Sequence, residues 1–171
     1  MFSRGKEKEN IVEKILCEKY NSYYRMAMSY VHKEADALDI VQEGAYKAIK
    51  NSASLKNTDY AATWIYRIML NEVYRFLDMR KPLSLEEETV QETGYEDVYE
   101  DIDLQRALDE MPAKDKAVIE LKYFEDLKLE EIAFVLEENV NTVKSRLYRG
   151  LKKLRISLQE EEEKGKGGTK K

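Results

Sequence analysis

The chain has 171 residues, enough for one domain or two small ones, and its net charge is −5. That balance argues against a protein that coats nucleic acid through bulk electrostatics. Charged residues make up 37% of the chain and hydrophobic residues 43%, with only seven glycines and two prolines. This composition favours helices over a turn-rich sandwich or barrel, so we expect an all-α protein.

The single cysteine, Cys17, and the single histidine, His32, cannot form an internal disulfide or a metal cage of His and Cys ligands. The sequence has no pairing of a nucleophile with histidine and no glycine-rich phosphate loop, so we expect no catalytic residues, no metal and no cofactor. The N-terminal residues lack the apolar core of a signal peptide, and no run approaches the ~20 apolar residues of a membrane span. We therefore expect a soluble, cytoplasmic protein.

The first half of the chain has apolar residues at three- and four-residue spacing, which is typical of packed helices. The pattern covers residues 11–31, 38–49 and 61–79 and predicts three main helices. A polar segment at residues 51–58 predicts a loop between the last two.

A polar edge is expected on the second of these helices. Asp39, Gln42 and Glu43 fall on one side of a helix, beside the apolar Leu38 and Val41. A solvated helix face is the simpler explanation of such a short charged segment. That explanation becomes weaker when the segment is considered together with the two that follow.

The third helix combines aromatic rings and cations. It carries Trp64, Arg67, Asn71 and Arg75, before Pro82 stops it. Rings that stack on bases and cations that follow phosphates are what binding of single-stranded DNA requires. Some of these aromatic residues also suit a core, whereas Arg67, Asn71 and Arg75 are harder to explain that way.

An acidic stretch follows Pro82. Between residues 86 and 103 the charged residues are all Asp or Glu. This pattern predicts an acidic flexible linker over residues 83–103. Helical periodicity resumes at Leu104, and residues 160–171 predict a disordered tail.

The C-terminal third predicts a helix-turn-helix. Residues 129–136 form a short amphipathic helix, residues 137–141 turn the chain, and Thr142 caps a second helix that runs to about Leu158. Glu137 and Glu138 occupy a turn where glycine and an apolar residue are more usual in this motif.

The second helix has one apolar and one basic face. Between Lys144 and Arg155 the charged residues are all Lys or Arg, and we expect Arg146 and Arg149 to face outward with them. A helix fits the major groove, where its first turns reach base edges and later cations hold phosphates. A solvated basic face that contacts an acidic partner is the simpler alternative.

These three motifs, in this order and at compatible spacing, resemble the extracytoplasmic-function (ECF) group of sigma-70-type sigma factors, the promoter-recognition subunits of bacterial RNA polymerase. Residues 36–43 are similar to region 2.2, which docks on the clamp helices of the β′ subunit. Residues 64–81 are similar to regions 2.3 and 2.4, which open and read the −10 element. Residues 127–158 are similar to region 4.2, which reads the −35 element, and residues 142–147 are its most specific string.

The resemblance implies a region 2 domain over residues 8–82, which binds core polymerase and the −10 element, and a region 4 domain over residues 104–159, which binds the −35 element. For core polymerase it implies Asp36, Asp39, Ile40, Gln42 and Glu43. For the single-stranded −10 element it implies Lys56, Asn57, Tyr60, Trp64, Arg67, Asn71, Arg75 and Arg80. For the duplex −35 element it implies Asn141, Thr142, Lys144, Ser145, Arg146, Arg149, Lys152 and Lys153, with the lysines on phosphates.

The resemblance also implies partners. They are the polymerase core, through its β′ clamp helices and β flap, promoter DNA, and an anti-sigma factor, which in this group is often membrane-anchored. The main rival is a helix-turn-helix regulator that binds palindromic operators without polymerase. A helical scaffold that binds only proteins is the third hypothesis. Promoter-specific transcription by core polymerase separates the three.

Overall fold

The computed structural model describes residues 2–80 and 99–167 and divides the chain into two compact units, Met1–Thr93 and Gly94–Lys171. Within the described ranges the regular elements are all helical, with no strand. The predicted all-α class with two small helical domains is thus confirmed. Most of the predicted acidic linker, residues 83–98, lies outside the described residues.

Four main helices build the described part of the first unit. They are α1 (Phe2–Glu18), α2 (Tyr20–Val31), α3 (Glu34–Lys50) and α4 (Ala61–Arg80), with short 3₁₀ turns at Ser52–Ser54 and Thr58–Tyr60. The prediction of three main helices is therefore wrong. The only break between α1 and α2 is Lys19, and a break of one residue does not interrupt the apolar spacing on which the prediction relied.

Helix α4 lies at the centre of the first unit and packs against α1, α2 and α3. Tyr66 of α4 is fully buried and meets the ring of Tyr23 edge to face, with centroids 4.8 Å apart. A β carbon at Gly44 of α3 would collide with the Met69 side chain of α4. The absence of a side chain at Gly44 thus lets the two helices that carry the candidate sites cross closely.

The second unit contains α5 (Tyr99–Asp109), α6 (Ala113–Ile119), a π-helical turn at Glu120–Phe124, α7 (Leu129–Leu136) and α8 (Val140–Gly167). Helix α5 begins five residues before the predicted domain start at Leu104. Acidic residues are favourable in the first turn of a helix, so an acidic run does not exclude a helix start.

Helix α8 continues through residues 160–167, where the sequence analysis expected a disordered tail. That expectation is wrong for these residues. The segment is rich in Glu and Lys, which are good helix formers, and a helix already packed against a core extends at little cost.

The core of the second unit joins α5, α6 and α8. Leu108, Met111 and Ile119 are buried, with Leu104, Leu147 and Leu154 packed against them. A β carbon at Gly150 of α8 would lie 2.7 Å from Cδ1 of Ile119. The close crossing of α6 and α8 at Gly150 brings a carboxylate of α6 beside the arginines of α8.

Candidate functional site

The helix-turn-helix is formed by α7 and α8. Helix α7 has the bounds that the sequence predicts, and Ile132 and Val143 are fully buried in the seam. Helix α8, however, begins at Val140, and the Asn139 carboxamide oxygen accepts hydrogen bonds from the Thr142 backbone N–H at 2.8 Å and from its hydroxyl at 3.0 Å. Asn139 is thus the N-cap, and the prediction of a Thr142 cap is wrong. Both residue types are good N-caps, so the sequence alone allowed either.

The turn between α7 and α8 is closed by Glu137. Its φ of 56° and ψ of 40° lie in the left-handed region, and the Glu138 N–H donates to the Ala133 carbonyl at 3.0 Å. Glycine is the usual residue in such a helix ending, and another residue costs about 1 kcal/mol. The chain makes the expected turn despite its unusual residue.

Glu138, the second unusual residue of the turn, is turned back toward α8. Its carboxylate accepts from Arg146 Nε at 2.7 Å and Nη2 at 2.8 Å, and Lys114 Nζ lies 3.3 Å away. The hydrogen bonds from Arg146 hold the pKa of Glu138 below its ordinary value, although burial acts in the opposite direction. A bidentate ion pair thus replaces the apolar contact that is more usual at this place.

Asp115 of α6 is the second acceptor for the arginines of α8. Its side chain is 2% exposed, and it accepts from Arg146 Nη1 at 2.9 Å and from Arg149 Nε at 2.9 Å and Nη2 at 3.2 Å. Burial alone would raise the pKa of the Asp115 carboxyl, but the hydrogen bonds from Arg149 and Arg146 lower it below its ordinary value. Glu138 and Asp115 in turn raise the pKa of the Arg146 guanidinium, and Asp115 raises that of Arg149. We call Asp115, Glu138, Arg146 and Arg149 the arginine cluster.

The arginine cluster gives the two arginines different orientations. The Arg146 side chain is 20% exposed and is held between two carboxylates, whereas the Arg149 side chain is 61% exposed. The expectation that Arg146 faces outward is therefore wrong. Sequence reasoning missed Asp115 altogether and noted Glu138 only as an unusual turn residue.

The other predicted −35 residues lie at the surface of α8. Thr142 is half-buried, and the rest are exposed: Asn141, Lys144, Ser145, Lys152 and Lys153. Tyr148, which the prediction omitted, is also exposed on this helix. Lys153 Nζ donates to the Glu110 carbonyl at 2.6 Å. The surface of α8 is thus largely basic. It includes the guanidinium of Arg149, which faces outward and is held by Asp115.

The predicted polymerase-docking residues of α3 divide into two groups. Asp39, Gln42 and Glu43 are exposed and form the predicted polar edge. Ile40 is buried in the core, and the buried Asp36 pairs with Arg80 Nη2 at 2.8 Å. The prediction of Ile40 as a surface contact is therefore wrong, because its position belongs to the apolar stripe of α3.

The predicted −10 residues all lie on α4 or in the segment just before it. Trp64 and Arg67 are half-buried, and the others are exposed: Lys56, Asn57, Tyr60, Asn71, Arg75 and Arg80. The Asn57 side chain accepts from the Asp59 N–H at 3.0 Å and so caps the turn that leads into α4. Arg80 also lies over the Phe76 ring, 4.8 Å from its centroid.

Ion pairs connect α3 with α4. Glu72 is largely buried on α4 and pairs with Lys47 of α3 and, at 3.7 Å, with Arg75. Lys47 also lies 3.9 Å from Glu43 on the polar edge. Contacts between charged side chains thus run from the candidate docking edge to the candidate DNA-binding helix.

Over residues 2–80 and 99–167, no cluster of three His, Cys, Asp or Glu residues could hold a metal ion. The same residues include no helix that is long and apolar enough to cross a membrane. Cys17 is exposed, and His32 ends α2 with a left-handed φ of 54°.

A helix-turn-helix with a basic second helix, preceded by a helical unit with polar and aromatic-cationic surfaces, defines a two-domain helical transcription factor. Residues 18–82 match the family "Sigma-70 region 2", and residues 101–154 match the family "Sigma-70, region 4". Together with relatives that include a named ECF sigma factor, these matches show that the chain belongs to the ECF group of sigma-70-type RNA polymerase sigma factors, which confirms the resemblance.

Two relatives from Bacillus subtilis (strain 168) support the assignment. RNA polymerase sigma factor SigV is 46% identical over 143 residues, which are 82% of this chain and 86% of that protein. ECF RNA polymerase sigma factor SigW is 31% identical over 159 residues, which are 82% of this chain and 83% of that protein.

A solved structure shows the same fold. The sigma factor RpoE in complex with the anti-sigma factor NepR, from Bartonella quintana, superposes with a TM-score of 0.71 at 22% identity. The match covers 86% of this chain and 96% of that one.

Proposed function

We propose that this chain directs promoter-specific initiation by holding two DNA-binding units on core RNA polymerase. The first unit binds the polymerase through α3 and unstacked −10 bases through α4, and the second binds the −35 duplex through α8. The observation that carries the proposal is the exposed basic surface of α8, which follows a well-formed turn in a helix-turn-helix.

At the −35 element, α8 lies in the major groove with its N-terminal turns toward the bases. Ser145 and Arg149 contact base edges, and Lys144, Lys152 and Lys153 hold phosphates. Arg146 stabilises the domain from inside and does not contact bases. This assignment keeps the predicted basic surface but removes one base-reading residue from it.

At the −10 element, the first unit captures bases that have left the stack. Unstacking costs a few kcal/mol per base, and contacts to aromatic rings, amides and cations offset it. Asn71 and Arg75 are exposed on α4, and Lys56 and Tyr60 are exposed beside its start. These side chains supply the required chemistry with no hydrolysis by the chain, which acts as an initiation factor.

Docking on core polymerase uses the polar edge of α3, formed by Asp39, Gln42 and Glu43, which contacts the β′ clamp helices. In the second unit, exposed aromatic side chains at Tyr123, Phe124 and Phe134 are the candidate contact for the β flap. An anti-sigma factor is a further proposed partner, supported by the solved structure of the sigma factor RpoE, which has this fold and contains the anti-sigma factor NepR.

The test is transcription by purified core polymerase with the full chain. Reversing charge on the polar edge, by Asp39→Arg with Glu43→Arg, is expected to lower promoter-specific transcription and core binding at least about 10-fold, because like charges oppose docking. Glu13→Arg reverses an exposed charge on α1 of the same unit and is the matched control; it is expected to stay within about twofold. Both quantities are measured by runoff transcription and by titration of labelled chain with core.

Two outcomes contradict the proposal. Unchanged core binding in the double variant would remove the α3 edge from docking. Tight palindromic binding by the free chain, with no transcription in the presence of core, would favour the polymerase-independent regulator.

A further inference from the structure

The Arg149 guanidinium is exposed to solvent on one side and anchored on the other. Asp115 accepts from Nε at 2.9 Å through one oxygen and from Nη2 at 3.2 Å through the other. This contact is bidentate and uses the side edge of the guanidinium plane. Arg149 is therefore held in one orientation although its side chain is mostly in water.

The contact with Asp115 leaves the far end of the guanidinium open. Nη1 and the second N–H of Nη2 point away from Asp115, and among the described residues no acceptor binds Nη1. Two parallel N–H groups at that end match the O6 and N7 acceptors of guanine in the major groove. The orientation that Asp115 imposes is thus compatible with bidentate recognition of a guanine.

Asp115 is itself fixed from the opposite side. Its Oδ1 also accepts from Arg146 Nη1, and Arg146 is held by both oxygens of Glu138. The close crossing at Gly150 brings the α6 backbone near α8, with the Asp115 carbonyl 3.7 Å from where a β carbon would lie. A buried carboxylate with so little freedom is a rigid support for a long, flexible side chain.

We propose that Asp115 is a positioning residue for DNA recognition, which orients Arg149 toward a guanine-containing base pair of the −35 duplex. Asp115 does not contact DNA. Because Asp115 already restricts the Arg149 side chain, less conformational entropy is lost when Arg149 binds DNA. The fixed orientation then favours the base pair that matches it. The inference rests on the proposed reading of the −35 duplex by α8.

The experiment measures base preference as well as affinity. Polymerase holoenzyme with the full chain is bound to promoters in which each −35 base pair is replaced in turn. Asp115→Asn keeps the size of the side chain but removes its charge and one acceptor, and it is expected to reduce discrimination at one base pair about 3- to 10-fold. Arg149→Ala is expected to reduce discrimination at that same base pair, and adding Asp115→Asn to it is expected to change nothing further.

Glu138→Gln is the matched control. It removes a carboxylate that also pairs with Arg146 but does not touch Arg149, so it reports the effect of loosening the domain. We expect it to lower affinity for all promoters by a similar factor and to leave the base preference within about twofold of wild type.

The inference is overturned if Asp115→Asn gives the same uniform loss as Glu138→Gln. If Asp115→Asn does not fold, hydrogen exchange at Arg149 Nε is measured instead, in the wild-type chain bound to a −35 duplex, to test whether Asp115 anchors Arg149. Slow exchange supports the anchor, and exchange as fast as in a free arginine rejects it. If wild-type holoenzyme shows no −35 base preference, the proposed function fails as well; a normal preference with no shift in Asp115→Asn rejects this inference alone.

Discussion

The two units differ in whether an arginine is enclosed by its carboxylate partners. In the first unit, Arg75 is 59% exposed and its partner Glu72 is largely buried, so the cation remains at the surface. In the second unit, Arg146 is itself enclosed by two carboxylates. Whether an arginine on a helix stays exposed or supports the fold from inside thus depends on where its carboxylate partners lie. An exposed pair contributes little to stability, whereas breaking a buried pair leaves a charge without compensation.

The largest expected effect comes from truncating the enclosed arginine. Arg146→Ala removes two hydrogen bonds from Glu138, which keeps Lys114, and one from the buried Asp115, which keeps Arg149. We expect a loss of about 2–3 kcal/mol in the free energy of unfolding. Arg75→Ala is the matched control in the first unit, with an expected loss below about 0.5 kcal/mol. Chemical denaturation of the full chain measures both.

The same two variants differ in transcription as well. Arg75→Ala is expected to reduce opening of the −10 element at a temperature where the chain is fully folded, as seen by permanganate reactivity. Equal stability losses in the two variants would remove the distinction between the units.

A smaller effect is expected where α6 and α8 cross. Gly150→Ala places a β carbon 2.7 Å from Ile119 Cδ1 and is expected to destabilise the chain by about 1 kcal/mol, after the better helix propensity of alanine is counted. Gly165→Ala lies on the same helix with no neighbouring atom within 4 Å and is expected to be neutral or stabilising by up to about 1 kcal/mol. Thermal unfolding shows whether each variant is more or less stable than wild type. Stabilisation by both variants would show that the crossing of α6 and α8 has room for a side chain.

The smallest effect is a pH dependence that belongs to the second unit. The carboxyls of Asp115 and Glu138 have pKa values below their ordinary 3.8 and 4.5, so the folded chain binds fewer protons there than the unfolded chain. Their stabilisation is complete above about pH 4.5 and is lost as the pH falls through the lowered pKa values. The Tm difference between wild type and Glu138→Gln should therefore shrink between pH 6 and pH 3.5. A constant difference would mean that the charge of Glu138 does not matter.

Much of this arrangement is local and could be predicted from the sequence. The α7 bounds follow from apolar spacing and the turn that ends it, and the polar edge of α3 follows from helical periodicity. The burial of Ile40 could also have been predicted, because Ala37, Val41, Gly44 and Ala48 share its stripe. The sequence prediction nevertheless placed Ile40 at the surface, because the resemblance of residues 36–43 to region 2.2 implied it as a polymerase contact.

The arginine cluster could not be predicted in this way. Asp115 is separated from Arg146 by 31 residues and from Arg149 by 34, and no local pattern connects them. Their contact depends on how closely α6 and α8 cross, which is a property of tertiary packing. The orientation of Arg146 therefore became visible only in the structure.

The length of α8 has an electrostatic consequence. At 28 residues the helix is about 42 Å long. Six of its cations lie between residues 144 and 155, whereas residues 160–167 carry four glutamates against two lysines, Lys164 and Lys166, and are net negative. The helix is thus a rod with separated charge, positive near the N-terminal half and negative beyond it. A polyanionic duplex is attracted to one end and repelled by the other, which orients the rod before any base is contacted.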